Sequence, residues 1–316
     1  MIRALLQRMK PRRRPLVPAS HVSEADAKLA LAQVGHSYPN RVVALKDVNL
    51  NIRSGEFVCL LGPSGCGKST LLYALAGHLT PSGGSVSIDG RPLTGPGPER
   101  LLMFQDPALF PWMTVRGNLT FALAARGLPR AEREARARTF IARVGLQGFE
   151  DTLPHQLSGG MKMRASLARA LAMDSAVLLM DEPFGSLDAQ TRVHMHELLQ
   201  SLWLASRKTV VFVTHDVHEA LQLATRVVVM APRPGRVLQD LQVQLPMPRS
   251  PDSPELAEMA RHIRELLRRV ERPPGLQPPE QEEKPPHAGG AREPAASSRR
   301  EAGRGRSAAA VVGSGH

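Results

Sequence analysis

The stretch Gly62-Pro63-Ser64-Gly65-Cys66-Gly67-Lys68-Ser69-Thr70 has the residue types and spacing that hold a chain of phosphates. It follows the pattern G-x-x-x-x-G-K-[ST], comes straight after the apolar run Phe57–Leu61, and opens a helical pattern. Its glycines let the backbone curl so that successive N–H groups point inward at phosphate oxygens. The helix start adds the positive end of its dipole. Lys68 supplies a point charge to the outer phosphates, and Ser69 a hydroxyl to Mg2+.

Three further groups fit the same chemistry. Val177-Leu-Leu-Met-Asp181-Glu182-Pro183 is an apolar run that ends in two acids. A buried strand with that ending delivers Asp181 to magnesium and leaves Glu182 where it can polarise an attacking water. Alone, two acids after a strand equally suit a surface turn; beside a phosphate loop they read as its second half. Val210–Thr214 ends in His215, which at the tip of a core strand reaches a γ-phosphate. A histidine there without such neighbours is more often structural or solvated. Leu157-Ser158-Gly159-Gly160-Met161 leads into the helical stretch Lys162–Ala172, so Ser158, Gly159 and Gly160 form a second anion-binding helix start, of different type.

A sheet is needed to hold these groups. Phe57–Leu61, Ala176–Met180, Val210–Thr214 and Val227–Met230 are continuous apolar runs, the pattern of parallel strands buried on both faces. Val48, Leu50 and Ile52 alternate with polar residues, and Val86 and Ile88 alternate up to the hairpin signal Asp89-Gly90. Ser69–Ala76 reads as a helix stopped by Gly77, and residues 116–146 as helical with a break near Gly127–Pro129. Leu256, Met259, Ile263, Leu266, Leu267 and Val270 recur at helical spacing within Pro254–Val270, the mark of a terminal amphipathic helix.

Composition removes several classes. The 316 residues are 42% hydrophobic and 22% charged, ordinary values for a globular chain long enough to bury a large core. Two cysteines, Cys59 and Cys66, make neither a disulfide framework nor a four-thiolate zinc site. No stretch reaches the ~18 apolar residues of a membrane helix. The start has no long apolar run ahead of a small-residue cleavage site, which argues against a secretory signal and for a reducing, cytoplasmic setting. Half of the +12 net charge sits in the first twenty residues, which hold six bases and no acid. The weakly basic remainder argues against a dedicated nucleic-acid surface. Residues 273–316 are rich in Pro, Gly, Ala and Ser and read as disordered, as does the basic arm 1–26. His194 and His196 lie two apart on a helical stretch and so face different sides, which makes a metal pair improbable.

Taken in order, GPSGCGKST, Gln105, LSGGM, LLMDEP, Ser186-Leu187-Asp188 and His215 resemble the nucleotide-binding subunit of ABC transporters over about residues 27–250. The resemblance implies an α/β P-loop NTPase cassette. Such a cassette has a RecA-like core, an antiparallel β subdomain and a helical subdomain at about 106–172, followed here by a helix at 251–272. It implies that Tyr38 stacks on adenine, that Gln105 touches Mg2+ and moves with a transmembrane partner, and that Glu182 is the catalytic glutamate and His215 the switch histidine. It also implies that Ser158, Gly159 and Gly160 grip the γ-phosphate of ATP held by the opposite subunit, with Asp188 in the loop that crosses the dimer. ATP and Mg2+ are the expected ligands. The expected partners are an integral-membrane permease, a second ATP-binding subunit taken as another copy, and indirectly a substrate-binding protein; no nucleic acid is expected. The place is the cytoplasmic face of the cell membrane. Met161 and Met163 stand where Gln is commoner in that family.

Finer features narrow the resemblance. Phe104-Gln105-Asp106, Leu109–Val115, Leu157–Met161, Pro183–Arg192 and Met230–Arg236 resemble the nitrate/sulfonate/taurine importer ATPases. An ATPase of this type acting on nucleic acid or ribosomes would carry two cassettes or large insertions, and a dead adapter would lack Lys68, Asp181, Glu182 or His215. The alternatives that stay open are a non-transport role and import of another small solute.

Overall fold

A computed structural model describes residues 16–19, 22–250 and 253–271. The elements among them are, in chain order, β1 (Leu16–Pro18), β2 (Ala27–Ser37), β3 (Val43–Arg53), β4 (Phe57–Leu61), α1 (Lys68–Ala76), β5 (Gly83–Ile88), β6 (Arg91–Pro92), β7 (Arg100–Met103), α2 (Val115–Ala125), α3 (Arg130–Arg143), α4 (Gly159–Ala172), β8 (Val177–Asp181), α5 (Ala189–Ser206), β9 (Thr209–Thr214), α6 (Val217–Leu223), β10 (Arg226–Ala231), β11 (Arg236–Val243) and α7 (Pro254–Glu271).

The apolar runs became the centre of a seven-stranded sheet ordered β1-β11-β10-β4-β9-β8-β7. Its pairs from β10 through β4, β9 and β8 to β7 are parallel. Strands β4, β8, β9 and β10 are buried at every position, because helices or a second sheet cover both faces. Phe57, Cys59 and Leu61 point to one side, among Phe184, Phe212 and Met259. Val58 and Leu60 point to the other, among Leu71, Leu72 and Leu75 of α1. Each such Leu or Phe contributes roughly 1.5–3 kcal/mol on burial. The second sheet, β3-β2-β5-β6, is antiparallel and sets Leu29, Leu31, Val48, Leu50 and Ile52 against α1. Asp89 and Gly90, at φ +49° and +72°, make the expected tight hairpin.

Helices α2 and α3 and one face of α4 share their own core of Val115, Leu119, Leu123, Ile141 and Val144. The break between α2 and α3 falls at Gly127, whose φ is +76°. Buried Asn118 ties down the segment ahead of α2: its Oδ1 accepts from Phe110 N at 2.8 Å and its amide donates to Met113 O and Thr114 O at 3.0 Å. Helix α7 buries Leu256, Met259, Ile263 and Leu266 in the core shared with Val217, Ala220 and Leu221 of α6.

One expectation needs correction. Leu16–Pro18, read as part of an unstructured arm, pair antiparallel with Val243–Leu241 of β11. Three residues with a terminal proline carry no strand signal of their own, and only the exposed edge of β11 makes them one. Residues 1–15 of that arm and the tail 273–316 lie outside the described residues.

Candidate functional site

The parallel order brings the carboxyl ends of β4, β9 and β8 side by side. Open α/β sheets hold ligands at that edge. The loop from Gly62 to Gly67 leaves β4, Asp181 and Glu182 end β8, and His215 follows β9. Their closeness is thus a product of strand pairing across more than a hundred residues.

Gly67 precedes α1 at φ +89°, and a Cβ there would lie 2.8 Å from Ala44 O and 2.7 Å from Leu45 Cδ2, so the turn requires glycine. No side chain caps α1, so its first N–H groups face the loop's concavity, a ready anion site. Lys68 is 5% exposed, and its ammonium donates to Gly62 O at 2.8 Å and Pro63 O at 3.0 Å. Cys66 is fully buried, and that burial pushes its thiol up.

Ser69 Oγ donates to Asp181 Oδ1 at 3.0 Å. Asp181 is 3% exposed and forms no ion pair among the described residues. Burial raises its carboxyl above the usual range, and the nearby Glu182 adds to the rise; bonds from Ser69 and Tyr73 oppose it. A desolvated carboxylate beside a hydroxyl is a hard oxygen donor set, and it suits Mg2+. Glu182 sits at φ +44°, in the left-handed region uncommon for a residue with a side chain. Its Oε2 lies 3.0 Å from His215 Nδ1.

Tyr38, Ser64, Gly65, Gly67, Lys68, Ser69, Thr70, Gln105 and Glu182 line one open groove of about 440 Å³. Tyr38 leans on the loop's helix, its hydroxyl 3.1 Å from Thr70 Oγ1, and its ring meets His36 edge-on. The groove's walls do not include Ser158, Gly159, Gly160 or Asp188. Ser158 caps α4, accepting from Met161 N at 3.3 Å, and stands exposed with Gly159. Asp188 caps α5, accepting from Thr191 N at 2.9 Å, and that bond holds its carboxyl below the usual range.

Tyr73 escaped the sequence reading. It stands one turn beyond Ser69 on α1, and the desolvation that raises its phenol comes with the charge of Asp181 beside it. The i, i+4 spacing from Ser69 was the available signal. Arg233, Val42, Val43 and Ala44 also line the groove and were not named as site residues. Met163, one of the two departures, is buried in the main core, so it packs rather than meets solvent. His194 is exposed, while buried His196 bonds Glu219 and Gln222.

The ABC transporter family profile matches residues 45–185. A chain of Brucella abortus (strain 2308) named for ATP binding is 52% identical over 224 residues, which cover 70% of this chain and 86% of that one. A taurine import ATP-binding protein of Pseudomonas putida is 50% identical over 69% of this chain and 83% of its own length. A nitrate import ATP-binding protein of Synechocystis sp. is 49% identical over 65% and 77%. Among solved structures, a dimeric bacterial ABC transporter cassette aligns with a TM-score of 0.63 at 33% identity, over 68% of this chain and 98% of that one.

Proposed function

The chain belongs to the ABC transporter family as an ATP-hydrolysing subunit, and from that premise we propose that it energises import of a small anionic solute such as nitrate, taurine or an alkanesulfonate. The observation that carries the chemistry is the contact of Glu182 with His215, 3.0 Å apart at the strand ends beside the phosphate loop. The likeness to taurine and nitrate import subunits at about half identity supports the solute class.

In this reading the N–H groups of the loop and Lys68 hold the ATP phosphates, and Tyr38 lies against adenine. Ser69 and Asp181, with Gln105 on the same wall, would hold Mg2+, which when bound neutralises charge on the phosphates. Glu182 takes the proton of the attacking water, and His215 fixes Glu182 and reaches the γ-phosphate. Ser158–Gly160 and Asp188 lie outside their own groove, and they complete the groove of a second copy. ATP then favours the closed pair, and loss of the γ-phosphate releases it.

A permease fits the surface that follows Gln105. Trp112 is 72% exposed, and Phe104 and Phe121 are exposed beside a mainly apolar groove of about 320 Å³. Exposed aromatic surface of that kind marks a protein contact. Among the described residues no helix is long and apolar enough to cross a membrane, so this subunit would be held at the cytoplasmic face by its permease. A separate substrate-binding protein would deliver the solute.

Two measurements test the reading. Glu182→Gln should bind ATP, dimerise with it, and turn over about 100-fold more slowly. Unchanged turnover would remove Glu182 from its role. A deletion strain should fail on taurine, an alkanesulfonate or nitrate as sole sulfur or nitrogen source, with rescue by wild type and not by Glu182→Gln. Normal growth on all three would reject the solute class and leave the ATPase.

A further inference from the structure

The turn between β10 and β11 brings a cation to the groove. It is pinned to the start of β3: Gly235 N donates to Ala44 O at 3.0 Å, and Lys46 N donates to Gly235 O at 2.9 Å. A Cβ on Gly235 would lie 2.4 Å from Cys66 O and 2.6 Å from Ala44 O, so the turn presses directly on the phosphate loop. Two residues earlier, Arg233 is held at φ +59°. Residues with side chains are uncommon there, and such outliers concentrate at functional positions. The Arg233 side chain is exposed, has no carboxylate partner among the described residues, and lines the groove with Tyr38, Ala44 and Lys68.

Strand order fixes which part of a nucleotide this cation meets. β4, which feeds the phosphate loop, lies between β10 and β9. The hydrolytic groups Asp181, Glu182 and His215 follow β8 and β9 on one flank; Arg233 follows β10 on the other. The γ-phosphate belongs to the first flank. The second flank, shared with Tyr38 and Ala44, is left for the nucleoside and the inner phosphates.

Resting on the reading of this groove as the ATP site, we propose that Arg233 is a nucleotide-binding residue whose guanidinium grips the α-phosphate. The planar fork suits two phosphate oxygens, which a lysine's point charge matches less well. ATP and ADP carry that phosphate alike, so the contact strengthens binding of both and leaves the chemical step untouched.

The test is titration of ATP and ADP against the wild-type chain and four variants, with steady-state hydrolysis alongside. Arg233→Ala should weaken ATP and ADP equally, by about tenfold, with KM raised and kcat unchanged. Arg233→Lys should recover part of the loss. Arg233→Gly, which suits φ +59° and relieves the backbone, should lose as much as Arg233→Ala; wild-type affinity in the glycine variant would trace the effect to the turn and overturn the contact. Lys68→Ala serves as the reference. If it loses ATP while Arg233→Ala does not, the proposal falls and the ATP site stands. A fall in kcat, or a loss for ATP alone, would move Arg233 to the γ-phosphate and overturn the assignment. A wild-type chain that binds neither nucleotide would overturn the ATP site itself.

Discussion

Asp181, proposed above as a magnesium ligand, sits where burial sets the ionised carboxylate against stability. Burial raises its carboxyl above the usual range, so the folded chain holds the proton more tightly than the unfolded one. Its contribution is therefore most favourable below the unfolded carboxyl range, and it is lost as pH rises through the folded value. Its ionised form is unfavourable in that buried position, and the proposed Mg2+ would offset the cost. Asp181→Asn, free of Mg2+ and nucleotide, should unfold at higher urea than wild type at pH 8, with the gap closing toward pH 4. Its ATPase should be lost. A variant less stable than wild type at pH 8 would contradict this account. Glu182 adds a second local burden, since its left-handed backbone costs about 1–3 kcal/mol. Both residues were legible in the sequence because an apolar strand ending in two acids is a local signal. Arg233 was not, because nothing local marks an arginine as facing a groove, and Tyr73 offered only its i, i+4 spacing from Ser69.

Between elements, a buried bond far from the phosphate loop ties α5 to α6. His196 on α5 and Glu219 on α6 are 6% and 8% exposed in their side chains, and their Nε2 and Oε1 lie 2.8 Å apart. Gln222 Oε1 lies 3.2 Å from the other ring nitrogen, Nδ1. The pair joins the helix capped by Asp188 to the helix that begins just after His215. His196→Ala leaves the Glu219 carboxylate buried and unpartnered, and should cost about 3 kcal/mol in chemical denaturation. His196→Gln, whose amide still donates, should lose clearly less. Equal losses would mean that packing against Phe184, not the bond, matters there. Helical spacing alone separated His196 from His194. It could not reveal Glu219, which approaches only because α5 and α6 pack on the same face of the sheet.

At the scale of the whole molecule, the groove and the Ser158–Gly160 helix start lie apart on one chain, and the proposed pairing of two copies would put them in different composite sites. Lys68→Ala and Ser158→Arg should each abolish ATPase in a pure preparation. Mixing the two should restore a measurable fraction, because a mixed pair contains one site with Lys68 and Ser158 both intact. Activity that stays at the level of the separate variants would refute the composite site. The order of strands that separates these surfaces came from pairing, not from chain order: β4 sits between β9 and β10, far from it in sequence.

The sequence by itself determined the chemistry and the class of fold. The phosphate loop, the acids after β8, the buried parallel runs and the helix breaks are all local patterns, set by backbone conformation and by burial on one face or two. Tertiary structure alone decided what those patterns meet. It made a strand of Leu16–Pro18 by offering the edge of β11. It buried Met163, paired His196 with Glu219, and set Tyr73 beside Asp181. It also pressed the 232–235 turn onto the phosphate loop. The physical reason is the same in each case: such contacts join residues distant in the chain, and their free energy comes from desolvation and close packing that exist only after the sheet has closed.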